Sequence, residues 1–176
     1  ILTLAVIYSS SAVHSSAICF ILVFAIFGFL IYNNPHPKAK IFMGDGGSQF
    51  LGFMISSLPL YQSTANFEYN KLFIMIVLVS IPMMDVFAAI WRRLRDNRSI
   101  MSPDRLHLHH KLMNLGLSSK QVLLVLLFVQ SCLCIVSGIA MYYRGFEGFV
   151  ILGTTFVVMV ILFSIVHYAN RAVLKK

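Results

Sequence analysis

A short glycine-rich stretch, residues 40–48, places one carboxylate between two apolar runs of the sequence. Positive φ angles and close backbone approach are open to three glycines there, so we expect a tight turn, formed by Gly44, Gly46 and Gly47. Ser48 is expected to cap a helix that begins at Gln49, whose free N–H groups favour an anion. When ionised, Asp45 can accept but not donate hydrogen bonds, which suits a hard cation such as Mg²⁺ held together with substrate phosphates. The alternative is a turn between two membrane helices in which Asp45 has no chemical role.

A second carboxylate, Asp85, lies inside the apolar stretch 72–91, three residues after Pro82. A carboxylate within a membrane segment is costly, so it is a candidate functional residue. A structural ion pair with a neighbouring helix is an equally open interpretation. Proline removes a backbone hydrogen bond, and we therefore expect a kink just before Pro82. Asp85 and Arg92 are seven residues apart, which puts them on the same helix face.

Basic residues follow this apolar stretch, among them Arg92, Arg93 and Arg95. Such a cluster next to a membrane span often only sets the topology or contacts anionic lipid. Arginine also binds phosphate through two parallel hydrogen bonds. A phosphate-bearing substrate is therefore the second interpretation of these arginines.

Three histidines, His107, His109 and His110, lie in the same hydrophilic stretch. Ser102 with Pro103 predicts the start of a helix there and Gly116 predicts its end. On one straight helix His109 would point away from His107, so either the stretch is partly loop or only some of the histidines reach a common ligand. The pattern could bind a transition metal. Beside the arginines and the carboxylate turn, a phosphate or uracil-nucleotide site is favoured.

The composition excludes an ordinary soluble domain, because 59% of the 176 residues are apolar, 11% are charged and the mean hydropathy is +0.83. Residues 1–8 are apolar but too short to span, and they are predicted to be the end of a helix that begins before this sequence. The whole chain, 1–176, is predicted to be a single all-α membrane domain, the C-terminal part of a longer protein. It would be a polytopic bundle of about five full or partial spans after the truncated helix, at residues 17–32, 50–60, 72–91, 121–143 and 149–168.

The distribution of basic residues predicts the topology of this bundle. If sides alternate, two loops, 33–47 and 92–120, lie on the same side as the C-terminal tail. Of the 14 basic residues, only Lys71 and Arg144 lie on the opposite side. The other twelve are Lys38, Lys40, Arg92, Arg93, Arg95, Arg98, Arg105, Lys111, Lys120, Arg171, Lys175 and Lys176. The positive-inside rule makes this side cytoplasmic, and it accounts for the net charge of +8 without nucleic acid as a partner. The carboxylate turn and the histidines would then share one face.

The two polar stretches together resemble one enzyme family. Residues 43–48, Met-Gly-Asp-Gly-Gly-Ser, follow Phe42 and look like its Phe-Met-Gly-Asp-x-Gly-Ser motif. Pro82 with Asp85, the arginine pair at 92–93, and Ser-Pro-Asp-Arg-x-His-Leu-His-His-x-Leu at 102–112 look like its later cytoplasmic motif. The family is the polyprenyl-phosphate N-acetylhexosaminyl-1-phosphate transferases, glycosyltransferase family 4. The His-Leu-His-His form resembles the branch that transfers GlcNAc-1-phosphate or a related sugar phosphate.

The resemblance implies a multi-pass enzyme of the bacterial inner membrane with a cytoplasmic active face. It would transfer a sugar 1-phosphate from a UDP-N-acetylhexosamine to undecaprenyl phosphate, release UMP, and serve the synthesis of cell wall or O-antigen polymers. By this likeness Asp45 is the ligand of Mg²⁺, with Mn²⁺ as an alternative, and three residues contact the diphosphate, His107, His109 and His110. Substrate binding is assigned to Asn34, Gly44, Gly46, Ser48, Asp85, Arg92, Arg93 and Arg95. The partners are the two substrates and membrane lipids, and a homodimer stays open.

The chain departs from the family pattern in two places. A paired-aspartate motif and an Asn/Asp-Gly motif of the family have no counterpart in this sequence and are expected to precede Ile1. The family's Asn-x-x-Pro-Ala appears with displaced prolines at 34–39, where Asn34 is the predicted equivalent. Two other classes of function compete with the transferase. One is a membrane scaffold or lipid-binding module without activity, and the other is a metal or anion transporter, which the few polar residues of 121–143 and 149–168 disfavour.

Overall fold

The predicted all-α fold is confirmed by the structure, a computed structural model. It describes residues 1–8, 13–34, 39–62, 69–97, 99, 101, 107–143 and 145–173. These ranges contain no strand, and their helices are α1 (Leu2–Tyr8), α2 (Val13–Asn33), α3 (Gly44–Gln62), α4 (Tyr69–Leu78), α5 (Ser80–Arg95), α6 (Leu108–Asn114), α7 (Ser119–Tyr143) and α8 (Gly145–Val173).

Three helices, α2, α7 and α8, are long and apolar enough to cross a membrane. The bent pair α4–α5 is a fourth candidate if it is counted as one span. Most side chains of these helices face outward and are apolar, as expected where lipid replaces water. The chain is therefore an integral membrane protein. The predicted partial span 50–60 lies within α3, which is not among the candidates.

The bend between α4 and α5 has a cause in the sequence. The helix axis turns by 67° at Val79, three residues before Pro82. Proline has no N–H, so it cannot donate the helical hydrogen bond to the carbonyl of Leu78. The side chain of Gln130 on α7 supplies a replacement, since its Nε2 donates to that carbonyl at 3.1 Å. The predicted kink before Pro82 is confirmed, and a polar side chain of another helix compensates for it.

Replacing Gln130 by leucine is expected to destabilise the bundle by about 1 kcal/mol, because the Leu78 carbonyl then loses its partner in an apolar environment. The free energy of unfolding in mixed micelles would measure this change. Gln49→Leu is the matched control, because Gln49 is an exposed side chain on α3. An equal effect of both substitutions would contradict the role of Gln130.

The core lies where α1 and α4 pack against the long helices. Helix α1 contacts α2 and α7, and the Ser16 hydroxyl donates to the carbonyl of Ala5 at 2.9 Å. Helix α4 packs between α7 and α8. A Cβ atom on Gly148 would collide with the backbone carbonyl of Ala140, so glycine permits the close approach of α7 and α8 there. Short α6 rests against α7 and α8.

The structure corrects three predicted boundaries. The glycine-rich stretch is not a separate turn before a helix at Gln49, because α3 begins at Gly44 and includes it. Ser48 therefore does not cap the helix. Its hydroxyl donates to the Asp45 carbonyl one turn earlier, at 3.0 Å. The predicted loops 33–47 and 92–120 are also partly helical, since α3, α5, α6 and α7 extend into them.

Candidate functional site

The carboxylate of Asp85 contacts His107 and the start of α6. One of its oxygens, Oδ2, lies 3.0 Å from Nδ1 of His107, and the other, Oδ1, accepts the backbone N–H of Leu108 at 2.9 Å. Leu108 is the first residue of α6, where backbone N–H groups have no partner within the helix. Asp85 on α5 therefore caps α6 from outside and fixes the side chain that precedes it. The contact between Asp85 and His107 links α5 to the start of α6, which agrees with the interpretation of Asp85 as a structural partner of a neighbouring helix.

The three histidine rings lie together. The rings of His107 and His109 are parallel within 4°, with centroids 6.0 Å apart, and those of His109 and His110 are 4.2 Å apart. His107 has an extended backbone, with φ −63° and ψ 159°, and it precedes the helix. This geometry decides between the alternatives, because the stretch is partly loop. The predicted helix start at Ser102 lies outside the described residues, and α6 begins at Leu108.

The environment of His109 lowers its pKa below the usual 6.5. Partial desolvation of this exposed ring contributes most, followed by the neighbouring His110 and His107, while Asp85 acts in the opposite direction. The lowered pKa favours the neutral imidazole of His109 at pH 7. Below pH 6.5 the unfolded chain takes up this proton before the folded one does, so His109 makes the protein less stable as the pH falls through that range.

An NMR titration of His109 is expected to give a midpoint below 6.5. The midpoint should fall further in Asp85→Asn, because that substitution removes the negative charge that favours the protonated ring. An unchanged or higher midpoint in Asp85→Asn would contradict the electrostatic contact.

Contacts with α8 hold α6 at one end of the bundle. The Lys111 ammonium lies 4.6 Å from the centre of the Phe163 ring, and the Asn114 side chain donates to the Asn170 side chain at 3.0 Å. Gly116, with φ +95°, follows the helix as predicted. The histidines are therefore at the same end of the bundle as the C-terminal ends of α5 and α8.

A cleft of about 600 Å³ lies between α5 and α8 at this end. Most of its wall is apolar, and its basic lining residues are Arg92, Arg95, His167 and Arg171. Arg92 is buried and Arg95 pairs with Asp96 at 3.1 Å. The third predicted arginine, Arg93, is partly buried and does not line the cleft. His167 and Arg171 were not predicted as site residues, although their spacing of four places them on one face of α8.

Among the described residues, no hydrogen bond or ion pair joins Asp45 to the histidines. Asp45 is exposed in the first turn of α3, after Gly44 with φ +68°. Within the described residues its carboxylate has no hydrogen bond or ion pair, and no three potential ligands cluster to hold a metal. Asn34 continues the last turn of α2, where its N–H donates to the Leu30 carbonyl at 2.9 Å. One exposed carboxylate fits Mg²⁺ held mainly by water and phosphates, but it is not a complete site.

The fold and the site define a polytopic helical membrane protein with a histidine cluster beside a cationic cleft. Residues 1–63 match the sequence model of glycosyl transferase family 4, which confirms the predicted resemblance to that family.

Relatives extend this similarity along the chain. The chain is 36% identical over 157 residues to undecaprenyl-phosphate alpha-N-acetylglucosaminyl 1-phosphate transferase of Haemophilus influenzae, and the match covers 84% of the chain and 42% of the relative. It is 40% identical over 109 residues to a probable undecaprenyl-phosphate N-acetylglucosaminyl 1-phosphate transferase of Bacillus subtilis, covering 62% and 30%. It is 38% identical over 122 residues to decaprenyl-phosphate N-acetylglucosaminephosphotransferase of Mycobacterium tuberculosis, covering 63% and 30%. The chain thus spans less than half the length of these relatives. No solved structure matches it.

Proposed function

We propose that this chain forms the C-terminal part of an enzyme that transfers a sugar 1-phosphate from a UDP-sugar to a polyprenyl phosphate. The observation that carries the proposal is the similarity to the Haemophilus influenzae transferase over 84% of the chain. An aligned stretch of that length must include both the glycine-rich stretch and the three histidines. GlcNAc-1-phosphate is the proposed group, undecaprenyl phosphate the proposed acceptor, and cell wall or O-antigen synthesis the proposed pathway.

The reaction exchanges one phosphoric anhydride for another. An oxygen of the polyprenyl phosphate attacks the phosphorus that carries the sugar, a new P–O bond forms, and the bond from that phosphorus to UMP breaks. Such a transfer needs positioned phosphates and neutralised negative charge more than covalent help from the protein. The proposed diphosphate contacts are His107, His109 and His110, which lie together at one end of the bundle.

Asp45 is proposed as one ligand of Mg²⁺, or alternatively of Mn²⁺. The bound ion would neutralise phosphate charge. The N-terminus of α3, with Gly44, Gly46 and Ser48, offers backbone N–H groups to an anion. Asn34 remains a predicted substrate contact, because nothing in the described structure joins it to the histidines.

The cleft between α5 and α8 is proposed to contribute to acceptor binding. An amphiphile with an apolar chain and an anionic head matches its apolar wall and its cationic lining, Arg92, Arg95 and Arg171. Arg93, outside this lining, is proposed to contact membrane lipid or phosphate. The proposed location is the inner membrane with the active face toward the cytoplasm, on the basis of the twelve basic residues on that side. A homodimer remains a prediction.

A ligand-dependent shift in thermal unfolding would test the proposal on the complete gene product. UDP-GlcNAc with Mg²⁺ should stabilise the protein, by about 2.7 kcal/mol at a hundred times the Kd. Uridine without the diphosphate should give little stabilisation, because the histidines and Asp45 are proposed to hold phosphates. A scaffold or lipid-binding module without activity predicts no stabilisation by either ligand, and that result would overturn the proposal.

A further inference from the structure

Asp85 uses both of its carboxylate oxygens within the protein. Oδ2 contacts the ring of His107, and Oδ1 accepts the first N–H of α6. The Asp85 side chain is 17% exposed, whereas that of His107 is 38% exposed. The side chain of His107 does not itself cap the helix. The start of α6 thus depends on a residue of another helix, 23 positions earlier in the chain.

We propose that Asp85 is a positioning residue that fixes the histidine site, and that it does not contact substrate. Its carboxylate holds the Nδ1 side of His107, which leaves Nε2 as the ring nitrogen that a ligand can reach. The same carboxylate fixes the first turn of α6, which carries His109 and His110. This inference rests on the proposed transferase function and replaces the predicted role of Asp85 as a substrate-binding residue.

The tautomer of His107 follows from this contact. A carboxylate accepts hydrogen bonds only, so the proton must be on Nδ1 when His107 is neutral, and Nε2 then presents a lone pair. An asparagine at position 85 can still accept the Leu108 N–H through its oxygen. Its NH₂ group, however, donates to Nδ1 and moves the proton to Nε2. Asp85→Asn therefore retains the helix cap and reverses the tautomer.

The first experiment measures this arrangement without activity. Hydrogen exchange in the peptide that covers α6 should become about fivefold to tenfold faster in Asp85→Ala, the effect of losing one capping hydrogen bond. Asp96→Ala is the matched control, because Asp96 is an exposed carboxylate at the end of α5 that pairs with its neighbour Arg95. Histidine ¹⁵N NMR should show the proton on Nδ1 of His107 in the wild type and on Nε2 in Asp85→Asn.

The second experiment measures transfer by the complete gene product. Asp85→Asn should lower kcat/KM for the UDP-sugar by about 10- to 100-fold, the usual cost of a lost orienting partner. In a His107→Gln background the same substitution should cost less than about twofold, because Asp85 acts through that ring.

The outcomes separate the inference from the proposed function. Unchanged exchange of α6 in Asp85→Ala, or the same tautomer in Asp85→Asn, would overturn the positioning role even if the enzyme is active. An equal loss from Asp85→Asn in both backgrounds would also overturn it, because the residue would then act independently of His107. If the protein transfers no sugar phosphate at all, the proposed function fails, and exchange and NMR still decide whether Asp85 positions the histidines.

Discussion

Asp45→Asn is expected to lower UMP release by about 100- to 1,000-fold while leaving the fold intact. The substitution removes the one negative charge that the glycine-rich stretch offers to a metal ion, and loss of a group that stabilises developing phosphate charge costs factors of this size. Asp45 is exposed and its carboxylate has no partner among the described residues. We therefore expect no loss of stability. UMP release from UDP-GlcNAc by the complete gene product measures the effect.

Glu147→Gln is the matched control for this prediction. Glu147, like Asp45, is an exposed carboxylate in the first turn of a helix, here α8, but the predicted topology puts it on the opposite side of the membrane. It should retain normal UMP release. Normal turnover by Asp45→Asn would remove Asp45 from the proposed site, whatever the outcome for Glu147.

The double substitution His109→Gln/His110→Gln is expected to raise KM for the UDP-sugar by about 100-fold. Glutamine retains hydrogen-bonding groups but cannot take a proton or stack as a ring. The lowered pKa of His109 favours the neutral ring at pH 7, which can gain a proton when a diphosphate binds. The effect should therefore be larger at pH 7 than at pH 9, where a proton is less available.

The control for the histidines is His14→Gln, because His14 is an exposed histidine on α2 outside the cluster. It should leave KM unchanged at both pH values. An effect of the double substitution on kcat alone, with KM and its pH dependence unchanged, would show that these rings do not bind the nucleotide sugar.

The sequence predicts the helices well because lipid-facing segments must be long and apolar. The kink before Pro82 could be predicted because proline lacks an N–H, and the bend at Val79 confirms it. The hydrogen bond from Gln130 to the Leu78 carbonyl could not be predicted. It joins residues 52 positions apart and depends on how the two helices pack, which local sequence patterns do not show. The same reason applies to the bond between Asp85 and Leu108.

The errors at the glycine-rich stretch have a local cause. Glycines usually end or precede helices, so the sequence predicts a turn here and, after it, a helix that Ser48 caps. Of the three glycines in this stretch, only Gly44 has a positive φ, and Gly46 and Gly47 continue the first turn of α3. For the histidines, the sequence leaves two alternatives open, a stretch that is partly loop or a helix on which only some of the rings meet. Helical periodicity separated His107 from His109, and the structure joins them because His107 precedes the helix.

The products formed from UDP-GlcNAc and undecaprenyl phosphate test the central claim most directly. We predict that the complete gene product releases UMP and that the lipid product carries the sugar through a diphosphate, with one UMP formed for each lipid-linked sugar. Release of UDP would mean that the sugar alone is transferred and that the bond between the two phosphates of the donor stays intact. That result, or the absence of any lipid-dependent product, would contradict a sugar-1-phosphate transferase.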